Sequence, residues 1–401
     1  MKIGMVLDKI FPPDIRVENE AISLAENGFE VYLLCLDYNN TLPGEEVYNG
    51  FNIIRLRVSK KWIYRGRALI NTPFNFYTYY WAEKIKNFIS TYKIDTLHIH
   101  DLYLLGAAFL ANQKYKIPIV ADLHENYVEG LKIYQFANTF PGNILISKSR
   151  WAKKEVEWCH RADFIITVIE EAVERYSNLG VPRDKITVVA NYVNQDQFLD
   201  AKDDPEILYR FKDYFSAIYI GSFDTHRGLE SVINAVPEIV KKVPQFKLIL
   251  VGQGRNYKNL VRLTKKYNIE DYVSFEGFQP PDKLPSYIKA STVCLIPHLK
   301  TVHTDNTIPH KLFHYMLLGK PVISSDCNPI VRILNQAQAG LIYRSDHPEE
   351  LARKMVQLFN QPGLLQRMGQ NGKEAVLNHY NWNTTSKNLI NLYKIIEKNK
   401  S

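Results

Sequence analysis

Asp305-Asn306-Thr307-Ile308-Pro309-His310-Lys311-Leu312-Phe313-His314-Tyr315-Met316-Leu317-Leu318-Gly319-Lys320-Pro321-Val322-Ile323 is the stretch on which the architecture turns. It follows an apolar run, Val293–Pro297, of strand length. A polar loop then enters a helix with Pro309 in its first turn, where a missing N–H is harmless. Gly319 closes that helix and Pro321 opens the next apolar run. Strand, loop, helix and strand in this order make a crossover between parallel strands. The loop and first turn direct N–H groups and the positive end of the helix dipole outward, which is a ready anion site, and Lys311 adds a charge. Crossovers of this shape also occur with nothing bound, so topology alone does not assign a ligand.

The same alternation extends in both directions. Upstream, the second half restarts at Ala217-Ile218-Tyr219-Ile220-Gly221 and continues through Phe246–Val251 and Val273–Phe275; downstream comes Gly340–Ile342. The first half has its own runs: Ile3–Leu7, Val31–Leu36, Ile53–Leu56, Leu97–Ile99, Ile117–Ala121, Phe164–Val168 and Ile186–Val189. Helical patterns lie between them at Val17–Asn27, Phe76–Tyr92 and Leu102–Lys114. Continuous apolar strands with helical crossovers predict parallel sheets covered on both faces. A polar stretch, Asn194–Pro205, reads as the linker. The expected fold class is α/β, with two Rossmann-like doubly wound domains facing a cleft. Their boundaries are 1–195 and 196–380, followed by an amphipathic helix over 381–401 that packs back on the first domain. Ligands of such sheets bind beyond the strand C-terminal ends.

The 401 residues suit two domains rather than one core. Hydrophobic residues are 46% and charged residues 23%, the balance of a folded, soluble chain. Cys35, Cys159, Cys294 and Cys327 form no C-x-x-C, so a reducing compartment without disulfides is expected. The first apolar stretch is too short for a signal peptide, and no run approaches a membrane span. A cytoplasmic location follows as an expectation. The net charge of +8 favours anionic partners, but no nucleic-acid motif accompanies it.

The opening segment resembles the P-x-K-x-x-E-Y-M-x-x-G-K-P-V-I signature of retaining GT-B glycosyltransferases of family 4 (glycosyl transferases group 1). Further pieces resemble that family in the same order: Asp14-Ile15-Arg16-Val17, Leu97-His98-Ile99-His100-Asp101 and Ala121-Asp122-Leu123-His124-Glu125. The second half adds Tyr219-Ile220-Gly221-Ser222 through Arg227-Gly228-Leu229, Val251-Gly252-Gln253-Gly254 and Phe275-Glu276-Gly277-Phe278. The resemblance implies transfer of a sugar from a nucleotide-sugar donor to a glycan or lipid-linked acceptor with retention, as in polysaccharide biosynthesis. No cofactor and no metal are then expected. It also implies that the second domain holds the donor and the first the acceptor. Ser222, Arg227, Gly252, Phe278, Asn306, Thr307, Ile308, Lys311 and His314 take the donor positions. His124, Arg227 and Lys311 take the catalytic ones, with His124 over the sugar ring. In the family two glutamates flank the donor loop, and the second holds the nucleotide ribose. Here Asn306 and His314 stand at those positions, and a neutral imidazole cannot accept two bonds as a carboxylate does.

On the acceptor side the candidates are Asp14, Arg16, His100 and Asp101. Asp14 also suits a helix cap. His98 and His100 point to one face of a strand and with Asp101 could begin a metal set, the competing reading of a metal-dependent hydrolase. No third and fourth ligand follow at convincing spacing. The departures at Asn306 and His314 also admit a nucleotide-sugar epimerase of the same fold, or a non-catalytic nucleotide-sugar binder. Two basic and aromatic stretches, Lys60–Arg67 and Lys148–Lys154, suit an anionic membrane surface on the inner face of the cell membrane as well as a solvated face.

Overall fold

The computed structural model describes residues 1–72, 74–124, 126–133, 135–140, 142–199 and 202–399. Glu125, at the end of the Ala121–Glu125 motif, and residues 200 and 201 of the expected linker lie outside them. The chain divides into two compact units: Met1–Asn191 with Thr385–Ser401, and Tyr192–Thr384.

The first unit is built on eight strands: β1 (Lys2–Ile10), β2 (Glu30–Asp37), β3 (Glu45–Tyr48), β4 (Phe51–Arg57), β5 (Thr96–His100), β6 (Ile119–Leu123), β7 (Phe164–Thr167) and β8 (Ile186–Val188). Their order in the sheet is β3-β4-β2-β1-β5-β6-β7-β8. All neighbours are parallel except β3 and β4. β5 and β6 are buried along their whole length, and they bury His98, His100 and Asp122 among their apolar residues. β3 escaped the sequence reading because Glu45-Glu46-Val47-Tyr48 is a polar edge strand with only alternate residues covered. Its signal was nevertheless present. Asn49-Gly50, both at positive φ (45° and 88°), joins the paired residues Tyr48 and Phe51 as a two-residue hairpin turn.

Asp14 caps the helix Ile15–Glu26, accepting from the Val17 N–H at 3.3 Å. The expected helix over Leu102–Lys114 begins instead as a 3₁₀ turn, Leu102–Leu104, and continues as Leu105–Ala111. The last helix, Trp382–Lys398, contributes Tyr393, whose hydroxyl meets His98 Nδ1 at 2.7 Å inside the first unit.

The second unit holds β9 (Phe215–Ile220), β10 (Phe246–Val251), β11 (Val273–Gly277), β12 (Val293–Ile296), β13 (Val322–Ser325) and β14 (Gly340–Tyr343). All are parallel, in the order β11-β10-β9-β12-β13-β14. Among the parallel strands of each sheet the order reverses once, at β1/β5 and at β9/β12. Such switch points open a crevice beyond the strand C-terminal ends. All four cysteines are buried free thiols. Among the described residues no helix is long and apolar enough to cross a membrane.

Candidate active site

At the β9/β12 switch the opening segment forms the helix Lys311–Leu317. Pro309 stands just ahead of this helix, and its carbonyl receives the Leu312 N–H at 3.1 Å. Gly319, at φ 68°, ends the helix, with Lys320 N–H returning to Tyr315 O. The Tyr315 hydroxyl accepts from the Ile220 N–H at 3.1 Å and ties the helix to the end of β9. Lys311 is thereby laid over the Tyr219 ring, its Nζ 3.9 Å from the centroid. Gly221 leaves the room for it: a Cβ there would stand 2.7 Å from Nζ. Burial, and then Arg227, hold the Lys311 pKa well below the ordinary lysine value, and no acid offsets them among the described residues.

Arg227 ends the 3₁₀ turn Thr225–Arg227. Its Nη1 donates to His298 Nε2 at 3.1 Å, and its buried Nε has no partner among the described residues. Burial and Arg227 lower His226 to about 4, and burial and Lys311 push His298 well below the usual histidine range. A guanidinium, a lysine amine and two neutral imidazoles thus gather where an anion would complete them. The sequence names Arg227 and Lys311 by motif but offers no such motif for His226 and His298. The available signal was position: His298 directly follows Pro297 at the end of β12.

The other donor candidates divide. Gly252, at φ 135°, packs so closely that a Cβ would lie 1.9 Å from Gly221 O. Ser222 accepts from the Tyr219 hydroxyl through its carbonyl, and the Phe278 ring is 69% exposed beyond β11. The Asn306 amide donates to Val302 O at 2.7 Å, and the Thr307 hydroxyl to His303 O at 3.3 Å. Ile308 is buried. The His314 ring stacks on Phe198, with centroids 4.1 Å apart and planes at 7°.

In the first unit the candidates around β1, β5 and β6 form a buried ionic network. Asp122 takes a forked pair from Arg16, Nη2 to Oδ1 at 2.7 Å and Nε to Oδ2 at 3.3 Å. Its Oδ2 also accepts from His124 Nε2 at 2.6 Å and His100 Nδ1 at 3.0 Å. Arg16 was expected beside the acceptor. Instead its remaining groups go to Glu20, Val189 O and the Asn191 side chain, so it is used within the fold. His100 is likewise fully buried and lines no open surface, and Asp14 serves as the helix cap. Asp101, at φ 71°, meets Lys9 at 3.3 Å and the Tyr103 hydroxyl at 3.0 Å. It also lies 3.7 Å from His124 Nδ1. Burial opposes a charge on His124, but Asp122 and Asp101 raise its pKa to about 8. A non-glycine residue at positive φ at a strand end is a form of stored backbone strain.

Glu20, His98, His100 and Asp122 offer atoms within 4.8 Å of one another, the composition of a metal set. Asp101, which the sequence paired with the two histidines, is not in it. Arg16 Nη2 stands 2.7 Å from both Glu20 Oε1 and Asp122 Oδ1, two histidines donate to Asp122 Oδ2, and burial raises the Glu20 carboxyl to about 8. Asp8 at the end of β1 is also saturated, by Arg67 (Nε to Oδ2, 2.5 Å), Tyr77 and Tyr103.

Two such units, each a parallel sheet with its candidate groups at the switch point, define the GT-B fold, and the comparisons agree. Sucrose-phosphate synthase from Thermosynechococcus elongatus superposes with a TM-score of 0.77, at 19% identity over 99% of both chains. Anabaena HepE in complex with UDP gives 0.72, at 14% identity over 98% of this chain and 100% of the other. Residues 15–197 match the family described as Glycosyltransferase Family 4, and residues 200–375 that described as Glycosyl transferases group 1. The chain belongs to the family 4 glycosyltransferases. An uncharacterized glycosyltransferase of Methanocaldococcus jannaschii is 24% identical over 98% of both chains.

Proposed function

We propose that this glycosyltransferase moves a hexosyl group from a nucleotide-sugar donor to a glycan or lipid-linked acceptor, with retention of configuration, in cell-surface polysaccharide synthesis. The observation that carries the reading is the unpartnered, buried Arg227 Nε beside Lys311 at the β9/β12 switch. A donor diphosphate supplies the missing negative charge. As the sugar C1–O bond lengthens, charge grows on the leaving diphosphate. Arg227 and Lys311 stabilise it from fixed positions, where such groups act most strongly. A guanidinium matches two phosphate oxygens at once. With two cations in that role the step calls for no metal. In the first unit, cationic His124 positions the sugar, and the acceptor hydroxyl attacks from the face the diphosphate leaves.

A thermal-shift screen with UDP, GDP, ADP, CMP and dTDP tests the donor half. At a hundredfold excess over Kd the correct nucleotide adds about 2.7 kcal/mol. For domains of this size that is roughly 5–10 °C in Tm. No shift with any of them would end the reading. Retention is tested by comparing the anomeric configuration of donor and product by NMR. A second reading is favoured by Asn306 and by His314 lying against Phe198. It is a nucleotide-sugar epimerase, or a binder that does not transfer. Change of the nucleotide sugar with no acceptor present would select the epimerase.

We also propose that transfer takes place on the inner face of the membrane. Arg150, in the second basic–aromatic stretch of the first unit, donates to Asn71 O at 3.0 Å, four residues beyond the first stretch. Phe74 (71% exposed), Phe140 (80%), Tyr79 and Ile144 are exposed, as are Lys60, Lys61, Arg65 and Lys153. Apolar side chains flanked by cations suit an anionic bilayer. The chain is expected to sediment with phosphatidylglycerol-containing vesicles, and not with phosphatidylcholine alone. A Phe74→Ala/Phe140→Ala variant should stay in the supernatant. Equal behaviour with both vesicle types would remove the membrane from the proposal.

A further inference from the structure

We infer that His298 is a positioning residue for the donor anion: it holds the Arg227 guanidinium through a neutral acceptor, which leaves the guanidinium charge undiminished for the ligand. The inference rests on the donor reading above and adds a residue that the family motif does not supply.

The turn that carries Arg227 is seated on the end of β12. Leu299 N–H donates to His226 O at 3.0 Å. Gly228, at φ 67°, lies so close that a Cβ would be 1.9 Å from Pro297 O. His298 itself is anchored through its carbonyl, which accepts from the hydroxyls of Ser325 and Ser345. The backbone thus fixes both ends of the Arg227–His298 bond. His298 is 3% exposed. With Nε2 accepting, the proton of a neutral ring belongs on Nδ1. The surrounding groups, Lys311, Arg227, His226 and His303, all resist a charge on this imidazole.

The choice of acceptor has a consequence. Arginines in folded proteins are commonly oriented by carboxylates, as Arg16 is by Asp122 and Arg67 by Asp8. A carboxylate at position 298 would orient Arg227 equally well, but it would cancel the charge that an incoming diphosphate needs. An imidazole orients without neutralising. Nη1 is held by His298 while Nε stays unpartnered.

The test is a set of near-isosteric variants titrated with inorganic pyrophosphate by calorimetry, alongside thermal unfolding. His298→Gln presents a neutral oxygen near the Nε2 position and should bind pyrophosphate within about threefold of wild type, given a conserved hydrogen bond. His298→Leu should weaken binding by about tenfold or more, the effect of losing orientation at a charged group. His298→Glu should weaken it at least as much while raising the ligand-free Tm, because it places a carboxylate beside two half-buried basic side chains. A purely structural histidine would not separate Gln from Glu in this opposed way. In an Arg227→Ala background His298→Leu should have no further effect on binding, a non-additivity that reports direct coupling. Wild-type affinity in both the Leu and Glu variants overturns the inference and leaves the donor site standing. A wild-type protein that binds neither pyrophosphate nor any nucleotide overturns the donor site, and this inference with it.

Discussion

Lys311→Met is expected to cut sugar transfer by about 10²- to 10³-fold, the usual effect of removing one fixed group that stabilises a leaving charge. The same change should leave the ligand-free protein as stable as before or more so. Lys311 is held over Tyr219 with no carboxylate to offset its burial, and burial and Arg227 together depress its pKa. Retaining it therefore costs the empty fold free energy, and a bound diphosphate recovers that cost. Methionine fills the space over Tyr219 without the charge. Activity and stability should move in opposite directions, the pattern of a residue kept for function. Steady-state kinetics and a melting curve on the same sample check both. Loss of activity together with a large drop in Tm would mark Lys311 as a structural residue. Wild-type turnover would remove it from the site.

Asp122→Ala is expected to destabilise the first unit by about 3–5 kcal/mol, the range for stripping one partner from a buried charge network. The change removes the fork on Arg16, the partner of His100 and the nearer of the two carboxylates on His124. Asp122→Asn should cost less, because the carboxamide oxygen can still accept from Arg16 and fills the space that alanine leaves empty. Denaturant unfolding measures both, and equal losses would contradict this division. The network also fixes a pH dependence. The folded pKa of His124 is raised to about 8, above the unfolded value near 6.5. Its stabilisation, roughly 2 kcal/mol, is complete below about pH 6.5 and disappears as the pH rises through 8. Glu20, whose pKa burial also raises, acts in the same direction over that window. Asp122 is lowered against the effect of burial, chiefly by Arg16, so its contribution fails at the acid end. In Asp122→Ala the alkaline limb attributed to His124 should move toward lower pH.

The strands were legible because burial on both faces writes continuous apolar runs, as in Phe246–Val251 and Val293–Pro297. The edge strand Glu45–Tyr48 was not, since it has one strand neighbour and no buried residue, although Asn49-Gly50 announced its turn. At the site, Arg227 and Lys311 could be found because each follows a fixed local pattern of strand end, glycine or proline, and helix. Arg16 was misread for a physical reason. Its partner Asp122 is 106 residues away, and nothing local to either residue shows that they meet. Nor does anything local to His314 show its stacking partner Phe198, which lies far upstream. His298 was passed over because one residue beyond a strand carries no periodicity.

The first unit is discontinuous: the chain leaves it at Asn191 and re-enters at Thr385. Tyr393, which meets His98 across 295 residues, belongs to the returning segment. During vectorial synthesis every residue of the second unit therefore emerges before the first can be completed. The second unit is expected to reach its native packing as the nascent chain lengthens. The first has all its strands but waits for its last helix, with His98 lacking its tyrosine until that helix arrives. A nascent chain stalled before residue 385 should accordingly be cut by protease within residues 1–191 and resist within 202–384.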